Sequence, residues 1–239
     1  MQTGLYVALS SQMALERRLT TIADNVANAG TVGFRAAGVT FDDVMTGIGE
    51  DSISFVSAGD TRFNTQSGAL EETGSPLDFA VQGDAWFAVE TPAGPMMTRD
   101  GRFTMLNNGE LVTLEGHPVL DPGGAPLILN PQGGPIEAGA DGILRQDGQL
   151  IGAIGLFAFE PGPDAQRYGN SGFLPNIQPE PLVDRPDIGV AQGFLENSNV
   201  NAMHEMMRLI EVQRAFEKVS SLMSDSDKTL REAIRSMGS

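Results

Sequence analysis

Histidine, the side chain that titrates nearest neutral pH, occurs only at His117 and His204 in these 239 residues. Neither has neighbours at ligand spacing, and a zinc site needs three or four donors gathered together. With no cysteine, thiolate nucleophiles, disulfides and thiolate metal sites are excluded. Asp141-Gly142 and Asp147-Gly148 lack the D-x-[DN]-x-[DN]-G spacing of a calcium loop and read as turns. No glycine-rich phosphate motif follows a strand. The chain has 31 acidic residues, but no pair stands out as acid and base. The sequence therefore predicts no catalytic site, no metal and no cofactor.

The chemistry left is that of contact. Asn25, Asn28, Asn199 and Asn201 fall at the ends of helical patterns. There a short amide caps a helix or bridges to another backbone, and both local capping and subunit contact remain open. Met206, Met207 and Met223 are flexible and polarisable. They suit either core filling or a surface that accepts non-identical neighbours. Gln213 and Arg214 lie in or beside the same apolar stripe, where a polar residue fixes register or is simply solvated.

The elements that must position these residues are two terminal helices. From Gly193 to Gly238 no proline or glycine intervenes. Met203, Met206, Ile210, Phe216, Val219, Met223, Leu230, Ile234 and Met237 recur at helical steps, with charged residues between them. Asn201 is placed as the N-cap. About 37 helical residues at about 1.5 Å each make a rod of about 55 Å, and one apolar stripe of that length needs a partner helix. Residues 1–27 supply a candidate: Met1, Leu5, Ala8, Leu15, Leu19, Ile22 and Val26 follow alternating steps of three and four, with Gln12 interrupting once. Asn28 or Gly30 is expected to end that helix in the left-handed conformation. The expected fold class is α+β, the long terminal helices pairing as an antiparallel coiled coil around a mainly antiparallel β centre. The C-terminal stripe outruns its partner, so neighbouring subunits are expected to pack towards Leu230, Ile234 and Met237.

Composition divides the chain in the same way. All fourteen prolines lie between Pro76 and Pro186. The net charge of −16 falls wholly in the middle, because residues 1–36 sum to +1 and 196–239 to −1. That charge argues against nucleic acid and anionic membrane surfaces as partners. No apolar run reaches the roughly 18 residues of a membrane span, so no direct membrane insertion is expected. The start lacks the basic, apolar and small-residue order of a secretory signal.

The expected domains are 1–36, an N-terminal helix and motif; 37–75, an extended connector; 76–186, the β-rich centre; and 187–239, a connector and the C-terminal helix. Phe41, Val44 and Met45 suggest a short helix or apolar patch. Asp100-Gly101, Asn108-Gly109, Asp141-Gly142 and Asp147-Gly148 are hairpin signals. Residues 161–186 read as a return connector. Phe34, Trp86, Phe87 and Phe103 are expected as core anchors.

Three motifs, in order, resemble the rod and hook axial proteins of the bacterial flagellum. The first is Asn25-Val26-Ala27-Asn28-Ala29-Gly30-Thr31-Val32-Gly33-Phe34-Arg35. The second runs from Pro76-Leu77-Asp78 through Trp86-Phe87-Ala88-Val89 to Thr98-Arg99-Asp100-Gly101-Arg102-Phe103. The third runs from Ser198-Asn199-Val200-Asn201 through Glu205-Met206 and Leu209-Ile210 to Gln213-Arg214-Ala215-Phe216-Glu217. Asp24 and Gly30 stand where that family more often has Asn. The opening Tyr6–Leu15 is most similar to proximal-rod members, with distal-rod or hook-type members as the alternative and a secreted β-domain adhesin as the reading from another class.

The resemblance implies a structural subunit, not an enzyme, that assembles helically with itself and other rod proteins into a hollow shaft carrying torque from motor to hook. It implies export by the flagellar type III apparatus, without a cleaved signal peptide, to the periplasmic rod of the basal body. The residues it points to for subunit assembly are Leu5, Leu15, Leu19, Ile22, Asn25, Asn28, Gly33 and Phe34 on the N-terminal side. On the C-terminal side they are Asn199, Asn201, Met206, Ile210, Gln213, Arg214, Phe216, Met223, Leu230 and Ile234.

Overall fold

Helix α1, Gln2–Ala27, is long because no proline or glycine interrupts it after Gly4. The structure is a computed structural model and describes residues 2–46, 53–57, 59–183 and 185–237. These divide into two units, the first comprising 1–27, 37–62 and 201–239. In that unit α1 is followed by β1 (Ala37–Thr40), β2 (Asp43–Thr46), β3 (Ile53–Val56) and β4 (Asp60–Phe63). Strand β2 pairs antiparallel with β3, and β1 pairs with β4. Val44 and Met45 are therefore strand residues, not part of a short helix.

The second helix, α2, spans Ala202–Met237, 36 residues. Asn201 caps it as expected: its Oδ1 accepts from the His204 amide at 3.0 Å. Removing that acceptor in Asn201→Ala should lower stability by about 1 kcal/mol, read as a shifted urea midpoint. Asn201→Asp should retain most of the cap.

The class α+β holds, with two helices among the described residues and a large β-rich remainder. The antiparallel coiled coil does not. Helix α1 packs against α2 but shares itself with β1 and β3, so no continuous two-helix seam is left to α2. The covered face of α2 matches the predicted stripe at Phe216, Val219 and Met223 but departs from it over the first turns. Glu205 and Val212 are buried and Leu209, Phe216, Val219 and Met223 half-buried, whereas Met203, Met206 and Ile210 are exposed. The covered face starts at a carboxylate because Glu205 accepts a hydrogen bond from Asn25 Nδ2, 3.3 Å away. The left-handed stop at Asn28 or Gly30 is also absent. The first glycine with positive φ after α1 is Gly33, at +69°.

The second unit, 28–36 and 63–200, holds the remaining strands. In order these are β5 (Leu70–Glu72), β6 (Phe79–Gln82), β7 (Trp86–Thr91), β8 (Gly94–Thr98), β9 (Phe103–Met105) and β10 (Leu111–Thr113). Next come β11 (Ile136–Ala138), β12 (Ile143–Gln146), β13 (Gln149–Ala153) and β14 (Leu156–Ala158). Last are β15 (Gln166–Tyr168), β16 (Gly172–Leu174), β17 (Glu180–Pro181), β18 (Gly189–Gln192) and β19 (Phe194–Glu196).

The largest sheet has six strands in the order β15-β16-β8-β7-β14-β17. Residues 161–186 thus contribute three of its strands instead of a bare connector. Successive side chains of a strand point to opposite faces, and both faces of β7 are covered. Phe87 and Val89 enter a core with Phe79, Leu111, Val119 and Leu144; Trp86 and Ala88 enter a smaller one with Met97, Phe157 and Phe173.

Turn chemistry accounts for several hairpins. Gln146 pairs with Gln149 across Asp147-Gly148, whose φ values of 51° and 75° suit a type I′ turn. Asn108-Gly109 joins β9 to β10, and Asp141-Gly142 joins β11 to β12. Asp100-Gly101 joins no hairpin: β8 pairs with β7 and β16, and β9 pairs with β10. Glycine is needed at 101 for close approach, since a Cβ there would lie 1.7 Å from the Phe79 carbonyl oxygen.

The unit closes by pairing its last strands with its first. Residues 189–192 of β18 run antiparallel to 79–82 of β6, and β19 runs against β5 with Glu196 opposite Leu70.

Candidate functional site

Polar groups buried in a body otherwise packed with apolar side chains mark the site. Arg35, Arg99 and Glu196 are all fully buried. Arg35 Nη1 lies 2.5 Å from Glu196 Oε1, and Arg99 Nη1 lies 3.0 Å from Oε2. One carboxylate therefore holds two guanidiniums from well-separated segments of the chain. Its Oε1 also accepts from the Gly68 amide at 2.8 Å. Arg99 Nη2 donates to the Gly83 carbonyl at 2.8 Å.

Two cations against one anion leave a net positive charge. Trp86 offsets part of it: the Arg35 and Arg99 guanidinium carbons lie 5.6 and 5.3 Å from its ring centroid. A cation near an aromatic face gains about 0.5–2 kcal/mol. Among the described residues, Arg35 Nε and Nη2 and Arg99 Nε have no hydrogen-bond partner. Burial lowers the Arg99 pKa from its ordinary value, opposed by Glu196 and reinforced by Arg35.

The backbone around the triad is fixed residue by residue. The Gly33 amide donates to the Glu196 carbonyl at 2.7 Å. The Phe34 ring faces the Arg167 guanidinium at 4.2 Å, and Arg167 also donates to the Arg35 carbonyl. Phe63 and Phe173 flank the same guanidinium. The Ala36 amide donates to Asn199 Oδ1 at 2.7 Å, while Asn199 Nδ2 donates to the carbonyls of Asn64 and Gln66. Asn197 donates its backbone amide to the Ala69 carbonyl and its side-chain amide to Glu71. Segments 33–36, 64–71, 99 and 194–199 are thereby gathered around one carboxylate. The arrangement is a clasp that ties these segments together.

The residues expected from sequence separate into three sets. Asn28, Gly33, Phe34 and Asn199 belong to the clasp or its approach; Asn28 bonds Thr31 through both its carbonyl and its side chain. Leu15 and Leu19 are half-buried and Ile22 and Asn25 buried in the first unit. There Asn25 exchanges two hydrogen bonds with the Ala37 backbone, at 2.8 and 2.9 Å. On α2, Phe216 and Met223 are half-buried, while Asn201, Met206, Ile210, Gln213 and Arg214 are exposed. Leu5, Leu230 and Ile234 lie on the helices, but their side chains fall outside those described.

Sequence reasoning missed Arg35, Arg99 and Glu196 as a group. A signal was present: both arginines stand inside the motifs, and Glu196 is a lone acid after Phe194-Leu195.

Comparison with known proteins follows the same three segments. A family model described as "Flagella basal body rod protein" matches residues 5–35. One described as "Flagellar hook protein FlgE/F/G D1 domain" matches 80–153. A third, "Flagellar basal body rod FlgEFG protein C-terminal", matches 191–236. The chain belongs to the flagellar basal-body rod protein family. Within that family its full-length relatives include proteins named FlgF and, at lower identity, FlgG. It is 62% identical to "Flagellar basal-body rod protein FlgF" of Mesorhizobium japonicum, covering 100% of this chain and 99% of that one. The proteins of the same name from Rhizobium meliloti and Caulobacter vibrioides are 56% and 36% identical, again covering 100% of this chain and 99% of theirs.

Proposed function

We propose that this structural rod subunit polymerises helically in the proximal rod of the flagellar basal body through the outward faces of its terminal helices. The observation that carries the proposal is the face of α2 formed by Met203, Met206, Met207 and Ile210. These residues follow the i, i+3, i+4, i+7 pattern of one helical face, and all four are exposed. Exposed apolar clusters on a folded chain mark contact surfaces, and methionine adapts to partners of different shape. Gln213 and Arg214 continue beside this face, where they set register between subunits. Leu9 and Met13 are exposed apolar residues of α1 and add a second strip.

The partners are other rod proteins and further copies of this chain. The chain reaches the periplasmic rod through the flagellar type III export apparatus.

Deletion of residues 200–239 in a motile host tests the reading. Loss of swimming with the truncated chain still expressed is the expected result. Retained swimming would contradict it.

A further inference from the structure

The positions of the clasp residues in the chain carry a consequence for folding. Arg35 and Glu196 are separated by 161 residues, Ala36 and Asn199 by 163, and Arg99 and Glu196 by 97. Strands β18 and β19, which deliver Glu196, pair with β5 and β6 at the other end of the same body. Until that ribbon arrives, Arg35 and Arg99 lack the carboxylate that both bond in the folded body. Burying them beside Trp86 without one is strongly unfavourable.

We infer that the Arg35–Glu196–Arg99 clasp is a completion latch: the β body reaches its native packing only when the C-terminal segment Phe194–Val200 joins the N-terminal motif Gly33–Ala36. Synthesis runs from the N-terminus, so the latch cannot close until residues near 200 have emerged. The β-forming chain between the two segments stays unlatched until then. Closing so long a loop is entropically unfavourable before its contacts can form. Latch closure is a step in the chain's own folding and does not depend on its place in the rod.

The protein's only tryptophan, Trp86, lies on the latch and reports its closure by fluorescence. The test uses full-length Glu196→Gln in urea-jump experiments. Unfolding is expected to accelerate about a hundredfold, with refolding unchanged within about twofold, as for a contact made after the folding barrier. Arg35→Met leaves one guanidinium on one carboxylate. It is expected to accelerate unfolding by less than about tenfold, again on the unfolding arm alone.

Should Glu196→Gln prove unable to fold, Arg35→Met carries the kinetic test. The double variant Arg35→Met/Glu196→Gln then checks charge balance, since it buries one unpaired guanidinium instead of two and should recover part of the loss. Slower refolding with unchanged unfolding would overturn the latch, because the clasp would then belong to the folding nucleus. Wild-type kinetics in Glu196→Gln would overturn it as well.

Discussion

Gly33→Ala should destabilise the protein by about 3 kcal/mol or more, whereas Gly30→Ala, three residues earlier, should leave stability within about 0.5 kcal/mol. The two glycines belong to the same motif and differ in what surrounds them. Gly33 has φ +69°, and a Cβ there would stand 2.4 Å from the Asp100 amide nitrogen and 2.5 Å from the Arg99 carbonyl carbon. Both obstacles are backbone, and Arg99 is itself held by Glu196 and Gly83. Relief would require moving the residue that closes the clasp. A positive φ for a residue with a side chain adds about 1–3 kcal/mol of strain, and overpacking adds about 1–3 kcal/mol more. Gly30 has no positive φ, and a Cβ added to it would meet nothing within 4 Å. Urea titration of both variants by Trp86 fluorescence separates them. Equal midpoints would mean that the motif glycine serves no packing role in the free chain.

The second large effect falls on assembly and leaves the monomer intact. Met206→Asp with Ile210→Asp should abolish swimming while changing monomer stability by no more than about 0.5 kcal/mol per site. Met206 is 49% and Ile210 51% exposed, so neither carboxylate is desolvated in the isolated chain. In a subunit contact each would be, at a penalty of several kcal/mol per ion. A loss of about 3 kcal/mol weakens one contact about a hundredfold, and polymerisation repeats that loss at every subunit. The measurement pairs swimming on soft agar with urea midpoints of the purified variant. Normal swimming, or a monomer that unfolds outright, would each place this face somewhere other than the subunit contact. Val212→Asp is the contrasting substitution. Val212 is buried, so the monomer itself should be destabilised.

Local chemistry is legible in the sequence, and tertiary pairing much less so. Asn201 as N-cap, Asp147-Gly148 as a hairpin turn and the bounds of both helices depend on residues within a few positions of one another. The class α+β follows from them. The coiled coil fails because an apolar stripe shows that something covers or contacts a helix, but not what. Strands β1 and β3 occupy part of α1, and Glu205 heads the covered face of α2 where the periodicity points to Met203 and Met206. Asp100-Gly101 has hairpin composition, yet the chain there passes from one sheet to another.

The clasp is hidden for a related reason. Arg35, Arg99 and Glu196 look like ordinary charged residues until the fold places them together. Their nearness to the three motifs now has a physical account. Gly33 allows the approach to Arg99, Phe34 is held by Arg167, and Asn199 ties the two ends of the body to residues 64–66. The asparagines illustrate the same limit: Asn25 and Asn199 bridge backbones within the chain, in addition to any contact made in the rod.

A rod subunit must be present in purified basal bodies, and that presence can be measured directly. A host lacking the gene is complemented with the tagged full-length chain, and hook–basal bodies are isolated and analysed by mass spectrometry. The account predicts that the chain co-purifies with the rod proteins in fixed proportion, and that it remains after the filament is removed. Complete basal bodies that rotate normally without this chain, or its recovery only outside them, would contradict the account.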